Sequence, residues 1–248
     1  MKKSRANNSA VKNCGLPTAL LKVIHLFAVV HFVYGIYYDF TYVHFPKTTN
    51  MSNNFGGKFK YLTVLDAFLQ AIYFTVALIN DFIGTNEANP RKSPPIRKVK
   101  DYIFSSLAFP VSFNVGISFW GLYAVDRELV FPRVLDAVFP VWLNHVVHTN
   151  VMVFMLLELF ISFRQYPSRG KCLFGLITFM ISYLAWLHVV KHYSGIWVYP
   201  VLEVLPLPMR IVFFAGAIGA TVAFYFVGEL LNKKIWAKEI RLGHRKSN

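Results

Sequence analysis

Cysteine is nearly absent, acid is scarce, and one common catalytic signature is missing altogether. The only cysteines are Cys14 and Cys172, and the charge pattern described below puts both on the cytosolic side of a membrane, where a disulfide does not persist. No Gly-x-Ser-x-Gly run occurs, which closes the route to a soluble serine hydrolase built on a nucleophile elbow. No small-x-small cleavage site follows the first apolar stretch, at Val33 to Asp39. The basic tail and the apolar run after it therefore read as a retained helix, too long for the core of a signal peptide. No internal repeat is visible. Asp and Glu number 12 against 26 Lys and Arg, an excess that suits either nucleic acid or a membrane, and its distribution decides between them.

What the chain has in abundance is apolar residues. It is 55% hydrophobic and 17% aromatic, with a mean hydropathy of +0.44, well above ordinary soluble domains. The apolar residues come in blocks rather than in half-buried periodic patterns, and a bilayer-spanning helix needs about 20 of them. Six segments qualify, roughly Pro17 to Tyr38, Tyr61 to Ile83, Tyr102 to Val125, Ala137 to Phe163, Cys172 to Val190 and Met209 to Leu231. The expected fold is all-α, a polytopic six-helix transmembrane bundle over residues 17–231. A cytosolic tail (1–16) precedes it and a basic cytosolic tail (232–248) follows. Pro110 and Pro140 are expected to kink or delay their helices.

The basic residues cluster on alternate sides. Lys2, Lys3, Arg5 and Lys12 precede the first segment, Arg91 to Lys100 follow the second, Arg164, Arg169 and Lys171 follow the fourth, and Lys233 to Lys246 follow the sixth. The other connections hold few. By the positive-inside rule both termini face the cytosol, and the charge is a topology signal rather than a nucleic-acid footprint. Asn50-Met-Ser52 is then the sequon on the outer side, while Asn7-Asn-Ser9 faces the cytosol. The end Arg245-Lys246-Ser-Asn248 reads either as a retrieval signal for the endoplasmic reticulum or as a plain basic tail against anionic lipid, leaving endoplasmic reticulum or plasma membrane open.

Ionisable and polar residues inside the spans are functional candidates by default. Thr63, Asp66, Gln70 and Tyr73 recur at three- and four-residue steps on the second segment, and Asn144, His145, His148 and Thr149 do so on the fourth. Lipid satisfies none of these groups, so both stripes are expected to face into the bundle. By depth, Thr63 lies shallower than His148 by about one helical turn, a gap that tilt can bridge. A threonine hydroxyl beside a neutral imidazole is a nucleophile and base for acyl transfer. The same residues also fit a structural role, with Thr63 bonded to its own backbone and His148 joining helices, as in a non-enzymatic membrane regulator. A third reading is metal or haem held by the His145/His148 and His188/His192 pairs, with His25 and His31 in reserve.

The runs Lys60-Tyr-Leu-Thr63-Val-Leu-Asp66, Leu107-Ala-Phe-Pro110-Val, Asp126-Arg-Glu-Leu-Val-Phe-Pro132 with Leu135-Asp136, and Trp142-Leu-Asn-His-Val-Val-His148-Thr resemble the androgen-induced protein family, to which androgen-dependent TFPI-regulating proteins also belong. Tyr166-Pro-Ser-Arg169, Gly195-Ile-Trp-Val-Tyr-Pro200 and Gly228-Glu-Leu-Leu-Asn232 match it as well, so the likeness runs in order from Phe55 to Trp236. The resemblance implies a multipass membrane hydrolase that cleaves fatty acid esters of hydroxy fatty acids with a threonine nucleophile and a histidine. Those roles fall on Thr63 and His148, with no cofactor and no metal. Substrate would then enter sideways from the bilayer. His145, Asn144 and Asp66 remain open as groups that orient the imidazole or stabilise the oxyanion. Phe59 stands where the family is expected to have Trp, which bears on the pocket mouth, and the N-terminal tail is longer and unmatched. Oligomeric state is not legible.

Overall fold

A computed structural model describes residues 15–45, 55–88, 90 and 92–245. Cys14, both sequons and residues 246–248 lie outside the described residues. Among the described residues the chain is helical, and the only extended pairing is an isolated bridge between Gly15 and Ser162. The helices are α1 (Thr18–Tyr42), α2 (Leu62–Ile83), α3 (Pro95–Leu129), α4 (Val141–Ile161), α5 (Arg169–Ser194), α6 (Pro200–Val204), α7 (Leu207–Ile235) and α8 (Ala237–Arg245). All but α6 and α8 are long and apolar enough to cross a membrane, six spans in total. An even number of crossings brings the start of α1 and the end of α7 to one side. That side is called here the terminal end, and the opposite side, where α2 and α4 begin, the far end.

Burial ranks the spans. The apolar window of α3 is 67% buried and that of α7 only 17%, so α3 is the central pillar while α7 turns most of its surface outward, as a lipid-facing helix does. The spans depart from the apolar blocks at their ends. α3 begins at Pro95 rather than Tyr102, because proline suits a first helical turn and because Arg97, Lys100 and Asp101 in the added turn are buried among partners. α4 begins at Val141 rather than Ala137, since Pro140 occupies the N-cap and Arg133–Ala137 form a separate 3-10 turn. Pro110 does not break α3. It follows a widened π-helical turn, Phe104–Ala108, which accommodates the missing N–H. A second π-helical turn, Val146–Asn150, lies within α4 and carries His148.

Two glycines allow helices to press against that second turn. A Cβ on Gly116 of α3 would sit 2.6 Å from the His148 carbonyl oxygen and 2.4 Å from Met152 Cε, and one on Gly35 of α1 would meet Val146 Cγ1 at 2.8 Å. Phe32, Phe74, Phe104, Phe109, Leu143 and Met155 fill the shared core.

The terminal end holds a buried ionic lattice. His25 lies 2.6 Å from Asp81 Oδ2 through Nδ1 and 2.9 Å from Glu158 Oε2 through Nε2. Tyr73 donates to Glu158 Oε1 at 2.7 Å, and Arg164 reaches the same oxygen at 3.2 Å while also donating to the Glu158 and Ser162 carbonyls. Lys100 donates to Asn86 Oδ1 at 2.5 Å and Ser162 Oγ at 3.0 Å, and Arg97 lies 3.4 Å from Asp101. Arg97, Lys100 and Arg164 are thus core residues rather than a loop coat facing lipid headgroups. Breaking one partner of such a buried pair costs about 3–5 kcal/mol.

Candidate functional site

At the far end α2 starts with the nucleophile candidate already in place. A 3-10 turn, Gly57–Lys60, leads into Tyr61 at the N-cap and Thr63 at the second helical position. Lys58 straps this turn to the end of α1, donating to Asp39 Oδ1 and Val43 O at 2.8 Å each and to the Asp39 carbonyl. On the other side Tyr183 and Tyr199 each accept from Leu62 N–H at 2.9 Å, Tyr183 donates to Lys60 O at 3.1 Å, and the two hydroxyls lie 2.8 Å apart. The residues before and after Tyr61 are therefore tied to α1, to α5 and to the start of α6. Burial raises the Tyr199 hydroxyl above the ordinary tyrosine range and keeps it a protonated donor.

Thr63 Oγ1 stands 3.3 Å from His148 Nε2. The inferred depth difference does not keep them apart. The other nitrogen, Nδ1, is 2.7 Å from Asn144 Oδ1 and 3.0 Å from the Asn144 carbonyl. The Asn144 amide turns its oxygen to the ring and both oxygens only accept, so Nδ1 carries the ring proton. Nε2 then presents its lone pair to the Thr63 hydroxyl, the tautomer a general base needs. Phe119 of α3 lies flat on the imidazole, ring centroids 3.5 Å apart and planes at 12°, and fixes its orientation. The arrangement has the order nucleophile, imidazole, amide, and a neutral Asn at the third position avoids burying a carboxylate beside the base.

The structure separates residues that shared a stripe in the sequence. Asn144 and His148 are buried, with His148 against Thr63 of α2, whereas His145 is exposed. His145 Nδ1 lies 3.1 Å from Thr149 Oγ1, its ring stacks on Trp120, and Trp120 donates to Thr149 at 3.0 Å. Residues four apart stay on one face while a one-residue step turns about 100°, so the expected single stripe is two. Asp66 bonds along its own helix instead of to the imidazole. Its Oδ1 accepts from Gln70 Nε2 at 2.8 Å, and Gln70 donates onward to Ala108 O at 3.2 Å. Of the three candidate orienting groups, Asn144 holds the ring.

The histidine pairs do not converge as metal ligands. His188 and His192 are exposed, with His188 Nδ1 bonded to Leu184 O at 2.8 Å, and His31 stacks on Phe154. Among the described residues no group of three or more His, Cys, Asp or Glu side chains is placed to hold a metal ion. Cys172 is a buried free thiol 3.5 Å from Ser105 Oγ.

Two cavities open beside Thr63. Their walls are almost wholly apolar. Phe119, Tyr183, Tyr199 and Gly116 had no role in the sequence-based reading of the site. Tyr199 stood in one of the quoted runs, and nothing local connects it to Thr63 across the fold.

Six apolar spans around a hydroxyl–imidazole pair define a polytopic α-helical membrane protein with a polar site set in an apolar pocket. The chain belongs to the FAR-17a/AIG1-like protein family, whose pattern matches residues 20–233. It is 38% identical over 188 residues to the human androgen-induced gene 1 protein, covering 73% of this chain and 79% of that protein. To the mouse androgen-dependent TFPI-regulating protein it is 36% identical over 217 residues, 84% of this chain and 92% of that one. A UPF0641 membrane protein of Schizosaccharomyces pombe is 22% identical over 211 residues, 85% and 89% of the two chains. No solved structure matches the chain.

Proposed function

We propose that the protein is an intramembrane hydrolase of lipid esters, with fatty acid esters of hydroxy fatty acids as the substrate class that the family resemblance implies. Thr63 is the nucleophile and His148 the general base. The observation that carries this reading is the 3.3 Å contact between Thr63 Oγ1 and His148 Nε2, with Nδ1 tied to Asn144. Hydrogen bonds of this kind are often long without substrate and tighten when it binds.

In the reaction Thr63 Oγ attacks the ester carbonyl carbon as its proton passes to His148 Nε2. The tetrahedral intermediate collapses, the C–O bond to the alcohol breaks, and His148 returns the proton to the departing oxygen. Water then gives a proton to Nε2 and attacks the acyl-threonine, releasing the carboxylic acid and restoring Thr63. Tyr199 is the side-chain donor for the oxyanion. Tyr183 donates to Lys60 O, which leaves the Tyr199 proton directed at Tyr183 and available to redirect to a ligand. Both termini face the cytosol in this reading, so the pair lies in the outer half of the bilayer, where esters partitioned into lipid reach it sideways.

The test is ester hydrolysis by purified wild type, Thr63→Ala, Thr63→Ser and His148→Ala. Turnover lost in both alanine variants and partly kept in the serine variant supports the reading. Full activity in Thr63→Ala removes the threonine mechanism.

A further inference from the structure

The two cavities beside Thr63 are not equivalent. Thr63, Phe119, Val130 and Tyr199 line both, so they form the partition between them. His148 lines only the smaller cavity, together with Val147, Leu135 and Phe139. The larger one is bounded by α5, α6 and α7 through residues such as Met180, Leu187 and Ala217, and it contains no histidine. Resting on the hydrolase reading, we infer that the two chambers sort the two halves of the ester: the larger receives the acyl chain, and the smaller receives the alcohol.

The chemistry requires this division. The atom that leaves the tetrahedral intermediate is the alcohol oxygen, and it must take its proton from His148 Nε2. The alcohol carbon chain attached to that oxygen therefore extends on the imidazole side of Thr63. The acyl carbon, bonded to Oγ, directs its chain to the side without the imidazole. After the alcohol leaves, the chamber it vacates is the one His148 lines, and the attacking water must also stand beside Nε2. Deacylation thus proceeds with the acyl chain still seated in the larger chamber and water replacing the alcohol in the smaller one. Tyr199 borders both chambers, as an oxyanion donor should when the carbonyl lies at their junction. The inner walls of the larger chamber set acyl-length preference, and those of the smaller one set alcohol preference.

The full-length protein in detergent is assayed on two ester series. One varies the acyl group from acetyl to hexadecanoyl on a fixed alcohol, and the other varies the alcohol over the same lengths on a fixed butyryl group. Ala217→Phe fills the larger chamber and is expected to lower kcat/KM for hexadecanoyl relative to butyryl esters by about tenfold or more, with little change in the alcohol series. Leu135→Phe is expected to act on the alcohol series instead. Met180→Ala enlarges the acyl chamber and raises the hexadecanoyl-to-butyryl ratio, which decides the matter if Ala217→Phe does not accumulate. Responses exchanged between the series, or spread equally over both, in an active wild type overturn the chamber assignment alone. Absence of any wild-type turnover that Thr63→Ala removes overturns the assignment together with the hydrolase reading beneath it.

Discussion

The two ends of the bundle bury polar groups in opposite ways. At the terminal end, His25, Asp81, Glu158, Arg164 and Tyr73 engage one another closely, and Lys100 joins them through Ser162, which Arg164 also contacts. At the far end, a hydroxyl and one imidazole nitrogen face each other at 3.3 Å beside open apolar chambers. The first arrangement uses charge and many partners on α1, α2, α3 and α4, and it lies apart from either chamber beside Thr63. The second uses neutral groups, fixes only the far side of the imidazole, and leaves its reactive edge toward space. A buried ionic lattice away from any cavity marks a brace, whereas a neutral pair whose reactive edge borders a cavity marks a site.

That contrast can be broken by substitution. The largest effect is expected for Thr63→Ala, which should reduce ester turnover to background while leaving the thermal unfolding profile nearly unchanged, since the residue is half-buried and bears no load in the core. His148→Ala should lower turnover by about 10²- to 10⁴-fold, the range for a lost general base, measured as kcat on one ester. Glu158→Gln should do the reverse. By removing the carboxylate that faces Arg164 and one of the two that hold His25, it should cost about 3–5 kcal/mol of stability, read as a lower unfolding temperature, with ester turnover kept in the protein that remains folded. Asn144→Leu removes one of the two acceptors on Nδ1 and should lower kcat about tenfold, roughly the worth of one hydrogen bond, because the Asn144 carbonyl still holds the tautomer. His145→Ala should have the smallest effect on kcat, because that ring contacts Trp120 and Thr149 rather than Thr63. A collapse of turnover in His145→Ala equal to that in His148→Ala would erase the distinction between the two faces of α4.

Six apolar blocks were enough to read the spans, because transfer into lipid depends on composition summed over a window. Their ends were not legible. Arg97, Lys100 and Asp101 look like a polar loop until Asn86, Ser162 and Gln165 are brought to them from other parts of the chain. The i, i+4 relation of Asn144 to His148 is local and could be read from spacing, and Thr63 was singled out beside them. That Phe119 stacks on the imidazole, that Tyr199 stands at the junction of two chambers, and that Gly116 admits the close approach at His148 are long-range facts. No periodicity within one helix encodes them.

The most direct measurement is the site of covalent modification by a small fluorophosphonate. The purified protein is labelled, digested and sequenced by tandem mass spectrometry, in parallel with His148→Ala. The account predicts an adduct on Thr63 in the wild type and strongly reduced modification in His148→Ala. An adduct on a different residue, or equal labelling of Thr63 without the histidine, would contradict it.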